Sequence, residues 1–303
     1  MGDRSHRRLA VSTAQQNLSP AGPGGALFYL TPRPIISLDE EARKPKSASL
    51  MPREHGAYAQ IIFPLLTALV LGDLGPAPLL LVVSIVTVFL AHEPILVVIG
   101  GRGGRAQRET TMPARRRLGF LIAIGLPAGA LGLWLASPAA RLSALVPLVL
   151  GTLLVPFTLK RKEKTTVGEL LVSFALPATS IPVAMAGGVE SHAAFISAAV
   201  WAVVFALGTL TVRGIIARAK KNVDPGAMPY IAPVLSAATI IAAIWLGVSQ
   251  RLPTLAALAV IPTALATLIF GLSGVHPKNL RRLGWSLVAS NVAVLAALIL
   301  GLR

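Results

Sequence analysis

Residues 78–99 read PLLLVVSIVTVFLAHEPILVVI, an apolar run in which His92 and Glu93 are the only ionisable residues. A helix of about 20 apolar residues spans the hydrocarbon core of a bilayer. The run therefore predicts a transmembrane helix with these two residues roughly two-thirds of the way along it. An ionisable side chain at that depth is costly, so the pair is a candidate functional site.

Pro94 follows the pair directly. Proline lacks a backbone N–H and disfavours helical geometry in the residue before it. The sequence therefore predicts kinked backbone at Glu93. The alternative is that the helix ends at His92 and the pair lies at the membrane interface.

The composition of the whole chain agrees with a membrane location. Of 303 residues, 54% are hydrophobic and 13% are charged, and the mean hydropathy is +0.72. A soluble globular domain has about 25% charged residues, so the sequence predicts a polytopic membrane protein. The absence of cysteine excludes disulfides, thiol catalysis and Cys-ligated metals.

Nine apolar segments lie between residues 51 and 303, which predicts an all-α bundle of nine transmembrane helices. They cover approximately 56–72, 78–100, 118–136, 142–159, 168–187, 193–212, 229–248, 252–272 and 283–302. On the third segment, Gly125-xxx-Gly129 has a spacing that allows helices to approach closely.

Residues 1–50 differ from the rest of the chain. They are polar, rich in Gly, Pro and Ser, and without periodicity, which predicts a disordered basic tail. Met51 opens a segment that resembles a natural start, and we expect residues 1–50 to be dispensable.

The basic residues are distributed unequally between the two sides of the predicted bundle. Of the 28 Lys and Arg residues, only Arg141, Arg251 and Arg303 fall on the side opposite the N-terminus. By the positive-inside rule the N-terminus is cytoplasmic and the C-terminus is outside, as an odd number of helices requires. Membrane topology thus explains the net charge of +16, and nucleic-acid binding is not predicted.

The remaining polar groups cluster on the same side as the basic loops, which predicts a cytoplasm-facing polar site. Imidazole and carboxylate groups suit proton transfer near neutral pH, and arginines suit an anionic ligand. The candidate catalytic residues are His55, His92 and Glu93. The candidate substrate-binding residues are Glu54, Arg102, Arg105, Arg108, Glu109, Glu169 and Arg213.

The segment Gly100–Arg105 (GGRGGR) follows the predicted second helix. Successive glycine N–H groups can form an anion-binding nest, and arginine adds charge-assisted hydrogen bonds to phosphate. The alternative is a flexible loop whose arginines set topology and contact lipid head groups.

Four of the candidate side chains are of types that bind metal ions. His55, His92, Glu54 and Glu93 are side chains that bind zinc or iron, but no two of them have ligand spacing on one helix. No metal or other cofactor is therefore predicted, and a divalent metal stays an unsupported possibility.

Two segments carry a family resemblance: Pro52–Tyr58 (PREHGAY) before the first helix, and His92-Glu93-Pro94 on the second. They resemble the YwiC-like integral membrane proteins over essentially residues 51–303. The resemblance implies an integral protein of a bacterial cytoplasmic membrane and no particular reaction.

A more distant resemblance is to the UbiA-type intramembrane prenyltransferases, which have nine helices and functional loops after helices 2 and 6. It rests on residues 153–188, where an apolar helix and a basic turn precede Gly168-Glu169-Leu170-Leu171. That family holds Mg²⁺ with Asp-rich motifs, whereas residues 74–223 contain no Asp. The departure puts Mg²⁺-dependent prenyl transfer in doubt.

Three functions remain open from the sequence. The first is a membrane-embedded enzyme or binding protein for an amphipathic lipid or isoprenoid phosphate. The second is a transporter of an anion or a proton-coupled solute. The third is a non-catalytic membrane factor whose buried polar residues are structural. The bilayer is the expected partner, and the oligomeric state is not predicted.

Overall fold

Only helices occur as regular elements in the residues that the computed structural model describes, which are 55–160, 162, 164–219, 224–276 and 279–303. This confirms the all-α prediction. The helices are α1 (His55–Leu71), α2 (Pro76–Val98), α3 (Gly104–Leu135), α4 (Pro138–Ser143), α5 (Leu145–Leu159), α6 (Thr166–Ala178), α7 (Ser180–Ala186), α8 (Ser191–Ala219), α9 (Met228–Val248), α10 (Thr254–Leu258), α11 (Ile261–Leu272) and α12 (Leu280–Leu302). The predicted tail, residues 1–50, lies outside the described residues.

Membrane-spanning length is reached by 8 apolar helical segments within the described ranges, with Gly56–Leu71 as a shorter apolar helix beside them. These segments correspond one to one with the nine predicted from the sequence. The prediction of a polytopic membrane bundle is therefore confirmed. Because consecutive spans run in opposite directions, α1, α3, α6, α9 and α12 begin at one end, here named the basic end.

Three of the spans are each divided into a short helix and a longer one. The divisions follow Ser143, Ala178 and Leu258, the last residues of α4, α6 and α10. In each case a proline lies four residues further on, at Pro147, Pro182 and Pro262. A proline nitrogen cannot donate to the carbonyl four residues earlier, so the helical ladder is interrupted at these positions.

Other prolines do not divide their helices. Pro64, Pro94, Pro113, Pro127 and Pro233 all lie inside continuous helices. Neighbouring helices can satisfy the carbonyl that a proline leaves unbonded. The presence of a proline therefore does not by itself locate a break.

The third and sixth spans extend well beyond the predicted segments. Helix α3 has 32 residues, which is about 48 Å at 1.5 Å per residue, or about 18 Å more than the hydrocarbon core. Residues 104–117 were expected in a loop and are helical. Likewise α8 continues to Ala219, past the predicted end at residue 212.

Small residues let α2 and α3 pack closely. A Cβ at Gly125 would lie 2.2 Å from Thr87 Oγ1, and one at Gly129 would lie 2.6 Å from Ser84 Oγ. A Cβ at Gly132 would contact Leu81 at 3.1 Å. The close approach expected of the Gly125-xxx-Gly129 spacing is thus confirmed, with Gly132 extending it.

A second contact joins α1 to α8 in the interior. Trp201 is fully buried, and its indole Nε1 donates a hydrogen bond to Thr67 Oγ1 at 2.9 Å. Thr67 in turn donates to the Phe63 carbonyl at 2.8 Å. The ring of Phe63 lies 5.5 Å from that of Trp201, and the ring of Phe205 stacks on Trp201 at 5.5 Å. This buried tryptophan connects the first and sixth spans.

Candidate functional site

Glu93 and Arg102 form an ion pair between the end of α2 and the turn before α3. Arg102 Nε donates to Glu93 Oε2 at 2.9 Å, and Arg102 Nη2 donates to Glu93 Oε1. The Glu93 side chain is only 6% exposed, whereas that of Arg102 is 32% exposed. A buried carboxylate is thus neutralised by the two-pronged geometry that arginine offers.

Helix α2 is continuous through His92 and Glu93, where the sequence predicted kinked backbone. Helix α2 continues past Pro94 to Val98, so the alternative that it ends at His92 is wrong. Glu93 is the eighteenth of its 23 residues, about 8 Å from the end. His92 is exposed where Glu93 is buried, since successive helical residues point about 100° apart.

The glycine segment forms a tight turn between α2 and α3. Gly100 and Gly103 have φ of 76° and 93°, values that an L side chain rarely adopts. Gly103 N donates to the Gly100 carbonyl at 3.0 Å. From α3, Gln107 Nε2 donates to the Val98 carbonyl at 3.1 Å. The anion beside this turn is the Glu93 carboxylate, bound through Arg102.

The first turns of α3 carry basic side chains on one face. Arg108, Met112 and Arg115 are exposed, while Thr110 and Ala114 are buried. Positions i, i+4 and i+7 share a helix face, so the three exposed side chains form a line, here named the α3 stripe. Met112 is 61% exposed between the two arginines. Arg116 and Glu109, both exposed, flank the stripe.

A second ion pair joins α6 to α8 at the basic end. Arg213 Nε donates to Glu169 Oε2 at 2.6 Å. Its Nη1 donates to Thr166 Oγ1 at 3.1 Å, and its Nη2 donates to the Lys164 carbonyl. The side chains of Arg213 and Glu169 are 22% and 38% exposed. All three nitrogens of Arg213 therefore organise the start of α6.

One turn further into the bundle, a hydroxyl pair continues the same interface. Ser173 is buried, and its Oγ lies 3.1 Å from Thr209 Oγ1. Both positions are one helical turn away from the ion pair, because Glu169 and Ser173 are four residues apart, as are Thr209 and Arg213. The α6–α8 contact is thus polar over its first two turns.

From the sequence, the candidate residues are predicted to surround a single site. Among the described residues, four of the candidates form two ion pairs, Glu93 with Arg102 and Glu169 with Arg213, and the convergence of the candidates on one site stays a prediction. Glu54 and the side chains of His55 and Arg105 lie outside the described residues, so their roles stay predictions. Within the described part of the chain, no three His, Asp or Glu side chains are grouped to hold a metal ion.

Several arginines that the sequence analysis left unassigned have defined contacts. At the end opposite the basic end, Arg141 donates to the carbonyls of Ala136 at 3.0 Å and Trp134 at 2.9 Å. Arg303 donates to the Val70 carbonyl at 2.8 Å. These carbonyls belong to the C-terminal ends of α3 and α1, where a positive charge is favourable. In the sequence, Arg141 and Arg303 each follow an apolar segment, and this was the signal that could have predicted these contacts.

At the basic end, Arg218 occupies the junction of α8 and α9. Its Nη2 donates to the Pro229 carbonyl at 3.2 Å, and its guanidinium carbon lies 5.9 Å from the centre of the Tyr230 ring. An adjoining surface groove on α9 is lined by Ala227, Tyr230, Ile231, Val234 and Leu235. Sequence reasoning missed this arrangement, because it depends on how α8 and α9 pack.

The apolar helices of spanning length define the class of this chain, a multi-pass integral membrane protein. Residues 51–185 match the family model of the YwiC-like proteins, which confirms the resemblance over that stretch. No curated protein and no solved structure matches the chain. The more distant UbiA-type resemblance stays a prediction.

Proposed function

We propose that the protein is an integral membrane protein that binds anionic lipid head groups at its basic end. The observation that carries the proposal is the α3 stripe, in which the apolar Met112 lies between the exposed Arg108 and Arg115. A helix face combining basic and apolar side chains is typical of contact with an anionic membrane surface. Each basic residue near such a surface contributes about 1 kcal/mol.

The length of α3 supports this location for the stripe. The helix exceeds the hydrocarbon thickness by about 18 Å, and the stripe lies within its first 12 residues. If the apolar C-terminal part of α3 spans the hydrocarbon, the stripe falls at the level of the head groups. Arginine at that level forms charge-assisted hydrogen bonds with phosphate.

In this proposal the Glu93–Arg102 pair positions the stripe. It closes the turn from which α3 begins, together with the Gln107 side chain on the Val98 carbonyl. Both Glu93 carboxylate oxygens accept hydrogen bonds from Arg102. Because proton abstraction by Glu93 would first require this ion pair to open, binding is the function that the geometry supports best.

The alternative of a transporter rests on the three divided spans. Divided helices in transporters lie near the bilayer midplane, next to the substrate site. Here the divisions leave outer segments of only 6, 7 and 5 residues, so they lie towards the end opposite the ion pairs. This separation favours lipid binding over transport.

The test uses the full chain extracted from its membrane with its surrounding lipids by a styrene–maleic acid copolymer. Lipids that co-purify are quantified by mass spectrometry for the wild type, for Arg108→Gln/Arg115→Gln, and for the matched charge-retaining Arg108→Lys/Arg115→Lys. We expect the Gln variant to lose the enrichment of anionic over zwitterionic lipid by several-fold, and the Lys variant to keep it. Equal lipid profiles for all three proteins would overturn the proposal and favour a membrane factor without a ligand.

A further inference from the structure

The groove at the start of α9 lies on the outer surface of the bundle. Its lining residues Tyr230 and Val234 are each 65% exposed, and Leu235 is 43% exposed. It is a shallow, open depression of about 340 Å³, lined by the first turns of α9 and the residue before them. A spanning helix that presents such a face is covered in the membrane by acyl chains or by another protein.

Arg218 distinguishes this groove from an ordinary lipid-facing surface. Its guanidinium is held over the Tyr230 ring at 5.9 Å and on the Pro229 carbonyl at 3.2 Å. These two contacts hold a positive charge beside Tyr230, which is one of the residues that line the groove. Tyrosine with arginine at this level is typical of a membrane interface.

The charge around the groove points to the chemistry of its occupant. Helix α9 begins at Met228 with no side-chain cap, so its N-terminal dipole adds positive potential beside Arg218. Asp224 also lies before α9, and its Oδ1 accepts a hydrogen bond from Gly226 N at 3.0 Å. The combination is an apolar groove with a positive charge beside it, next to Tyr230.

We propose that this groove holds one anionic phospholipid, with an acyl chain along Tyr230, Ile231, Val234 and Leu235 and the phosphate at Arg218. A phospholipid satisfies both halves of the site, because its chain is apolar and its phosphate accepts the hydrogen bonds that arginine donates. The same face of a second copy of this chain would cover the apolar residues, but it would bring no anionic group to Arg218.

This site is independent of the α3 stripe. Helix α9 packs principally on α8, α10 and α11, whereas α3 packs principally on α2. The proposal therefore does not rest on the function proposed above, and the experiment separates the two. Every variant is made both in the wild-type chain and in Arg108→Gln/Arg115→Gln.

The experiment is native mass spectrometry of the purified full chain with added phosphatidylglycerol or phosphatidylcholine. Arg218→Gln removes the charge, Arg218→Lys keeps it, and Val234→Trp fills the groove. Val248→Trp is the matched control, because Val248 is 80% exposed on the same helix at the opposite end. Elution volume and circular dichroism check that each variant is folded.

We expect one tightly held phosphatidylglycerol, preferred over phosphatidylcholine. Its affinity should fall about fivefold in Arg218→Gln, the effect of one basic residue near an anionic group, and recover in Arg218→Lys. Val234→Trp should lose both lipids, while Val248→Trp should bind as the wild type does. The effect of Arg218→Gln should persist in the α3 stripe variant.

Two results would overturn the proposal. One is unchanged phosphatidylglycerol binding in both Arg218→Gln and Val234→Trp. The other is a dimer that Val234→Trp converts to a monomer with no change in bound lipid, which would assign the groove to a contact between protomers. Should Val234→Trp misfold, the pair Arg218→Gln and Arg218→Lys still decides the outcome, since both keep the groove lining intact.

Discussion

The Glu93 carboxylate and the Arg102 guanidinium close the turn between α2 and α3 through two hydrogen bonds. Glu93 is buried inside a spanning helix, and Arg102 comes from the segment just beyond it. The pair thus neutralises a carboxylate that would otherwise be buried as an unpaired charge among apolar residues.

Removing one partner of this pair should destabilise the fold more than removing both. Loss of one partner of a fully buried ion pair costs about 3–5 kcal/mol, and we expect about 1–3 kcal/mol here because Arg102 is partly solvated. Arg102→Gln leaves Glu93 charged and buried, so it should be worse than Glu93→Gln. Denaturant unfolding in mixed micelles measures both changes and the double variant. Additive effects of the two substitutions would contradict the ion pair's role.

The hydrogen bond between Thr67 and Trp201 should contribute measurably to stability. Thr67→Val keeps the volume but leaves a buried indole N–H without an acceptor, at a cost of about 1–3 kcal/mol. Thr67→Ser should cost less, because it retains the hydroxyl. The control is Thr152→Val, at an exposed position whose hydroxyl donates to the Leu148 carbonyl of its own helix at 2.8 Å. Equal melting temperatures for Thr67→Val and Thr152→Val would count against this account.

The α2–α3 contact should not tolerate a methyl group at Gly125. Alanine there would place its Cβ 2.2 Å from Thr87 Oγ1, which is held by the carbonyls of Val83 and Ser84 at 2.9 and 2.8 Å. We expect a loss of about 1–3 kcal/mol from overpacking.

Two further variants sharpen that prediction. Gly151→Ala introduces the same methyl group where nothing lies within 4 Å, and it should be neutral or slightly stabilising. Adding Thr87→Ala to Gly125→Ala creates space and should restore part of the loss. Thermal unfolding in detergent compares all four proteins. A Gly125→Ala protein as stable as Gly151→Ala would exclude close packing at this position.

The predicted topology can be tested directly because the chain has no cysteine. Arg116→Cys places a thiol at the basic end, and Ser249→Cys places one at the opposite end, both at exposed positions. A membrane-impermeant maleimide should label only the second in intact cells and both after permeabilisation. Labelling of Arg116→Cys alone in intact cells would reverse the predicted orientation.

The start at Met51 is also open to experiment. The family match begins at Met51, and we expect a chain starting there to insert and melt like the full chain. Membrane fractionation and thermal unfolding compare the two proteins. Failure of the shorter chain to insert would show that residues 1–50 are required.

Hydropathy was sufficient to predict the class and the approximate positions of the nine apolar helical segments, eight of which reach spanning length in the described residues. Those properties depend on transfer of apolar segments from water to lipid, which is set by local composition. The same pattern missed how far α3 and α8 continue beyond the hydrocarbon. Both extensions carry arginines, and no membrane-length argument distinguishes a solvated helix from a loop.

The contacts of each charged side chain were decided only by the tertiary structure. The sequence singled out Glu93 and Arg102 as candidates, but it left open whether they bind a ligand or serve as structural partners of other side chains. It also grouped Arg213 with Arg102, whereas the packing of α6 on α8 pairs Arg213 with Glu169. Proline content likewise did not reveal that Pro94 leaves its helix intact while Pro262 follows a break. Local sequence determines which segments enter the membrane, and the helices that surround each polar group there determine what it binds.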